Sequence, residues 1–335
     1  MTRPSESPPS HPPAGPPRAA ELSRRRFLIL ASATAASLAI GPRRSAAAGL
    51  ELGAEEPWAG VARLDEGIWA VASTPIESSD WRTGCNGGIV AGTERVLAIE
   101  SFARPEGAEW VAATARRLAG RAPTDVVVTH YHGDHAGGLT GYAEGDSRPR
   151  VWMTAATRDL LRDSGSGDEV RARMLAEAEP IDPDGATELD LGGRAVRLHP
   201  RTGHTASDVT VELAEPSIVF GGDLLWNGFF PNYRDTRPTA FAASIRAARR
   251  TGPTTYVPGH GALADDAAVG RLLALADAVE EAGRASYEQG VSPSAAAGRF
   301  RLPDPVADWV LFNDRYFEVA IGAWHRELES GAASG

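Results

Sequence analysis

Lysine is absent from the 335-residue chain, so all 34 of its fixed cations are arginines. Set against 44 carboxylates, they leave a formal net charge of −10. That balance lacks the basic face that nucleic-acid binding requires, and no nucleic-acid partner is expected. Cysteine is nearly absent too. Cys85 is the only one, which excludes an intrachain disulfide framework and a cysteine-rich metal knuckle. Long hydrophobic runs are missing: the apolar stretch 27–40 is shorter than the ~20 residues needed to cross a bilayer. Yet 42% hydrophobic and 23% charged residues are ordinary for a globular protein, so a core can form.

The first 48 residues read as a separate text. Residues 1–20 are rich in proline, serine and alanine and cannot build a core. "SRRRFLIL" follows, with an arginine pair ahead of Phe27 and Leu28 and a modest apolar run to Ile40. This resembles a twin-arginine export signal, and "SAAAG" supplies small residues for cleavage near Ala48. The expectation is a periplasmic or extracellular protein that meets the Tat translocase during export. No stable membrane insertion is expected after cleavage.

From residue 49 the chain alternates short β-branched runs with helical spacings. Strands are expected at 67–74, 87–92, 95–102, 124–130 and 150–154, and helices at 107–120 and 155–163. A second group of strands follows at 186–191, 194–201, 208–213, 217–223 and 254–259, with a helix near 239–250. Two strand groups, each followed by helices, predict a mixed α/β fold built as a four-layer αββα sandwich. A catalytic body over 49–265 is expected, with a helical extension over 266–335 packed on the same domain.

Chemistry concentrates in "VVVTHYHGDHAGG". A buried-type strand delivers His130 and His132, two residues apart, followed at once by Asp134 and His135. Imidazole and carboxylate are the ligands zinc prefers, and four within six residues is a dense cluster for a chain with eight histidines. Downstream, "TGHTASD" presents His204, "VFGGDLLWNG" presents Asp223, and "YVPGHGAL" presents His260. Each is expected at a glycine-lined turn after an apolar strand.

In that order, "HYHGDH", "GHT", "GGD" and "PGHG" resemble the metallo-β-lactamase superfamily across roughly residues 60–265. The resemblance implies the αββα sandwich and two zinc ions, with iron or manganese as other metals. His130, His132 and His204 would hold one ion, and Asp134, His135 and His260 the other, with Asp223 bridging. It also implies a metal-bridging hydroxide that attacks the carbonyl of a small-molecule thioester, lactone or related ester or amide. Asp134 would orient that nucleophile, and Tyr131, between two ligands, would contact substrate or oxyanion. Glu100 stands where the family more often has aspartate.

Two alternatives remain at this point. A β-lactamase usually has cysteine or serine where this chain has Asp223. An iron-dependent oxidoreductase of the same fold would use fewer of the ligand motifs. Substrate contacts are expected from Trp81, in the polar loop 75–84, and from Trp226, Phe229, Phe230 and Tyr233 after Asp223. Cys85 has no partnered base and is expected to be structural.

Overall fold

A computed structural model describes residues 52–73, 80–145, 147–163 and 168–332. The expected export signal and its cleavage point lie outside them. The chain forms two sheets, and the first is an antiparallel meander at its start. It runs β1 (Leu52–Glu56), β2 (Ala59–Asp65), β3 (Ile68–Ser73), β4 (Gly87–Ala91) and β5 (Val96–Ile99). Helix α1 (Pro105–Ala119) then crosses over to β6 (Asp125–Val127), parallel to β5. The short helix α2 (Gly133–Ala136) and a 3₁₀ turn at Leu139–Tyr142 lead to β7 (Arg150–Met153). Helices α3 (Ala155–Asp163) and α4 (Glu169–Ala176) precede β8 (Glu179–Pro180), which completes the eight-stranded sheet.

The second sheet has five strands: β9 (Thr187–Asp190), β10 (Ala195–Arg201), β11 (Asp208–Leu213), β12 (Ile218–Asn227) and β13 (Thr255–Gly261). Helix α5 (Pro238–Ala248) carries the chain between the last two, which pair in parallel. Helices α6 (Asp266–Glu288), α7 (Pro293–Ala297) and α8 (Tyr316–Ala332) form the extension.

Four layers require three interfaces, and the buried residues divide into three clusters. Adjacent strand residues point to opposite faces. Val126 and Val128 therefore pack outward on the helix side of the first sheet with Val111 and Leu139, while Val127 between them faces the other sheet. Leu97, Ile99, Val127, Leu198, Val211 and Phe220 fill the space between the sheets. Val219 and Tyr256, on the outer face of the second sheet, meet Leu272, Ile321 and Trp324 of the extension. Strands β6, β11 and β12 are buried on both faces, although β11 alternates Val209, Val211 and Leu213 with Asp208, Thr210 and Glu212.

Two expectations need correction. Asp223 was expected where a strand over 217–223 gives way to a turn, and His260 in the turn after 254–259, yet both lie within strands, β12 and β13, which run on to Asn227 and Gly261. The turn-like glycines there act as irregularities. The β12–β13 register shifts on both sides of Gly222, whose φ is +49°. A glycine can break a ladder locally without ending it, so the strand continues past the ligand. Strands β1 and β2 were not anticipated. No described helix is long and apolar enough to cross a membrane.

Candidate metal centre

The described residues gather two groups able to hold a metal ion: His130, His132, His204 and Asp223, and beside them Asp134, His135 and His260. They arrive from separate elements. The chain leaves β6, deep in the first sheet, and reaches His130 and His132, while α2 carries Asp134 and His135 in its single turn. His204 lies in the loop between β10 and β11. Asn86 draws β13 toward the first sheet. Its side-chain amide donates to Pro258 O at 2.9 Å and Gly261 O at 2.8 Å, and its backbone N–H donates to Gly259 O at 2.7 Å.

In the first group, His132 Nδ1 lies 3.1 Å from His130 Nε2 and 3.0 Å from His204 Nε2. The ligands of a tetrahedral zinc site with Zn–N near 2.0–2.1 Å are about 3.3 Å apart, so three lone-pair nitrogens at this spacing suit one ion. Asp223 faces both groups. Its Oδ2 is 3.2 Å from His204 Nε2, and its Oδ1 is 3.1 Å from His135 Nε2 and 3.3 Å from His260 Nε2. Asp134 Oδ2 approaches His260 Nε2 at 3.2 Å. His135 Nε2 and Asp223 Oδ1 are buried and close, yet neither makes a hydrogen bond among the described residues. Buried polar atoms are nearly always satisfied by a partner. Atoms that converge without bonding each other fit a divalent cation between them, and this imidazole–carboxylate donor set suits zinc.

The electrostatics divide by group: burial keeps His130 and His204 of the first group neutral, whereas neighbouring acidic groups raise His135 and His260 against burial. Burial holds His130 well below its ordinary basicity and His204 down at about 3, so both are neutral imidazoles. Burial would raise Asp134, but the His135 and His260 rings hold it at about 2. Asp223 is likewise held low against burial, by His260, His135 and His204. His260 is raised to about 9, burial being outweighed by Asp223 and Asp134. Burial also pushes the Cys85 thiol up to about 12, which keeps it a neutral thiol.

Beneath the ligands lies a supporting layer that spacing did not reveal. The Thr129 hydroxyl donates to Glu100 Oε1 at 2.6 Å and accepts from His130 Nδ1 at 3.0 Å. His135 Nδ1 donates to the same Glu100 oxygen at 3.0 Å. One buried carboxylate thus orients a histidine in each group, turning both Nε2 atoms inward. Glu100 takes a left-handed φ of 79°, and Phe102 one of 62°. Such strain in residues with side chains collects at functional sites. Asp235 was also not anticipated, because it lies far along the chain. Its Oδ2 accepts from Tyr131 Oη at 2.7 Å and faces His132 Nε2 at 2.9 Å.

The expected substrate residues divide. Trp81 is 37% exposed. Trp226 is buried, its ring 4.4 Å from that of His260 and its Nε1 donating to Asp223 O at 2.7 Å. It therefore backs the centre. Phe229 is partly buried and stacks on Phe312 of the extension at 5.0 Å. Phe230 and Tyr233 need correction as substrate contacts. Both are fully enclosed in the outer core, against Phe317 and Phe241 respectively, and present no surface to a ligand. Phe312 reaches His260 at 5.5 Å, so the extension touches the centre.

Residues 83–289 match the Metallo-beta-lactamase superfamily, more than half of the chain, and the chain belongs to that superfamily. Its class is metal-dependent hydrolase. It is similar to the metallo-beta-lactamase type 2 of Bacillus sp. (strain 170), with 26% identity over 214 residues, 61% of this chain and 77% of that one. It is 30% identical over 187 residues to the hydroxyacylglutathione hydrolase of Anaeromyxobacter dehalogenans (strain 2CP-C), covering 55% of this chain and 59% of the relative. Among solved structures, the metallo-beta-lactamase from Erythrobacter litoralis shares the fold, with a TM-score of 0.54 and 22% identity over 68% of this chain and 99% of that one.

Proposed function

We propose that this protein is an exported, zinc-dependent hydrolase that cleaves thioesters and related esters or lactones at a two-metal centre. The observation that carries the reading is Asp223, whose two carboxylate oxygens face the two ligand groups separately. Two divalent ions held there supply an activated water at neutral pH and Lewis-acid polarisation of a carbonyl. His130, His132 and His204 would hold one ion, Asp134, His135 and His260 the other, and Asp223 both. Asp134, ionised and the most exposed carboxylate of the ligand set, would orient the attacking water. Tyr131 gives its proton to the hydrogen bond with Asp235, and burial, the first cause, together with that bond pushes its phenol above the usual range. It is therefore a poor acid for the leaving group. The arginine pair and small-residue cleavage stretch support export through the Tat translocase to the periplasm or beyond.

A second reading, β-lactam hydrolysis, is favoured by the 26% identity to the Bacillus enzyme. Asp223 weighs against it, since the resemblance implies cysteine or serine at that position in β-lactamases. The test is a panel of thioesters, lactones and β-lactams on metal-quantified protein. Turnover of thioesters or lactones with zinc bound is expected. Turnover confined to β-lactams selects the second reading, and iron with oxygen uptake would overturn both. Asp134→Ala should lose at least about 1000-fold in kcat while still folding, as removal of a group acting in the transition state does. Near-native turnover in that variant would refute the role of Asp134.

A further inference from the structure

Asp235 lies on the segment joining β12 to α5. A carboxylate oxygen only accepts, so at 2.9 Å the His132 Nε2 must carry the proton. That leaves Nδ1 with the lone pair, and Nδ1 is the atom converging with His130 and His204. An imidazole offers one lone pair at a time, and the hydrogen bond on its far nitrogen decides which. Tyr131 fills the second position on the same carboxylate oxygen, at 2.7 Å, which pins the carboxylate's rotation.

The same segment also grips His204. Thr236 Oγ1 donates to His204 O at 3.3 Å, and Arg237 N donates to Gly203 O at 2.8 Å. The extension holds the segment in place. Arg326 donates to Arg234 O at 2.9 Å, and Val310 exchanges backbone bonds with Gly228 at 3.0 Å and Phe230 at 2.9 Å. Among the described residues, no hydrogen bond is seen from this segment to Asp134 or His135.

We propose that Asp235 is a positioning residue for the three-histidine half of the centre: it selects the His132 tautomer and fixes the ring, so the cation affinity of this half depends on it. The other half does not depend on it. The inference rests on the reading that these ligand groups bind metal.

The experiment measures Zn²⁺ affinity by chelator competition in two backgrounds. His260→Ala disables the second half and reports the first; His204→Ala does the reverse. Asp235→Ala should weaken affinity about 10–100-fold in the His260→Ala background, as loss of such an outer partner does, and leave it unchanged in the His204→Ala background. In the His260→Ala protein loaded with Co²⁺, the visible absorption should shift on the same substitution. Tyr131→Phe should cost less than Asp235→Ala. Asp235→Asn, which keeps one acceptor, should fall between wild type and alanine. Equal losses in both backgrounds, or none in the first, overturn the proposal. If Asp235→Ala does not fold, by circular dichroism of the metal-free protein, Tyr131→Phe and Asp235→Asn decide by the same selectivity. A wild type that binds two ions but hydrolyses nothing would sink the functional reading and leave this assignment standing.

Discussion

Gly259 has no room for a side chain. A Cβ there would sit 2.1 Å from Asp223 Oδ1, the oxygen that faces His135 and His260. Gly259→Ala should therefore push the Asp223 carboxylate aside and, under the proposed two-zinc reading, lower bound zinc from two equivalents to one or none, read by metal analysis after desalting. Two full equivalents in a folded variant would show that Asp223 can move without loss. At this scale the seven ligand-type residues were legible, because histidine and carboxylate at short spacings after apolar strands are rare by accident. Their supports were not. Glu100 stands out in sequence only for occupying a position where the superfamily more often has aspartate, and Asn86 and Asp235 are single polar residues in unremarkable contexts. They act across 29 to 175 positions of sequence, distances that only the packed sheets close.

Among the elements, β6 carries an ionic anchor at its outer end. Asp125 is buried and accepts from Arg95 Nε at 2.8 Å, Trp152 Nε1 at 2.9 Å and Thr124 Oγ1 at 2.7 Å. Burial alone would raise its carboxyl, but these donors, Arg95 first, hold it below its ordinary value. The folded state thus favours the ionised form. The stabilisation is complete above the unfolded pKa near 3.8 and is lost as pH falls through the lower folded value. Asp125→Asn should destabilise the protein by about 2 kcal/mol near neutrality, between a neutral and a buried charged contact. The gap to wild type should narrow as denaturation is repeated at pH values progressively below 3.8. A gap independent of pH would exclude the ionic account. Most strands and helices were legible from periodicity. The continuation of β12 past Asp223 to Asn227 was not, because glycines that interrupt a ladder and glycines that end a strand look alike in sequence.

For the whole molecule, the expectation that reaches furthest is export. Replacing Arg24 and Arg25 with lysine should keep the full chain in the cytoplasmic fraction, since a lysine pair does not substitute for the arginine pair in this kind of signal. Unchanged recovery outside the cytoplasm would refute it. The sequence by itself determined the ligand types, their order and the alternation of strands with helices, because these are local properties of spacing and burial. It also determined what the molecule cannot use: lysine for recognition, or disulfides within the chain. Only the tertiary structure decided which oxygen of Asp223 faces which group, and that Glu100 orients a histidine in each half. It also showed that Phe230 and Tyr233 are core while Phe312, far down the chain, reaches the centre. Those outcomes depend on how two sheets and an outer helical layer close on one another, and no short window of sequence contains that packing.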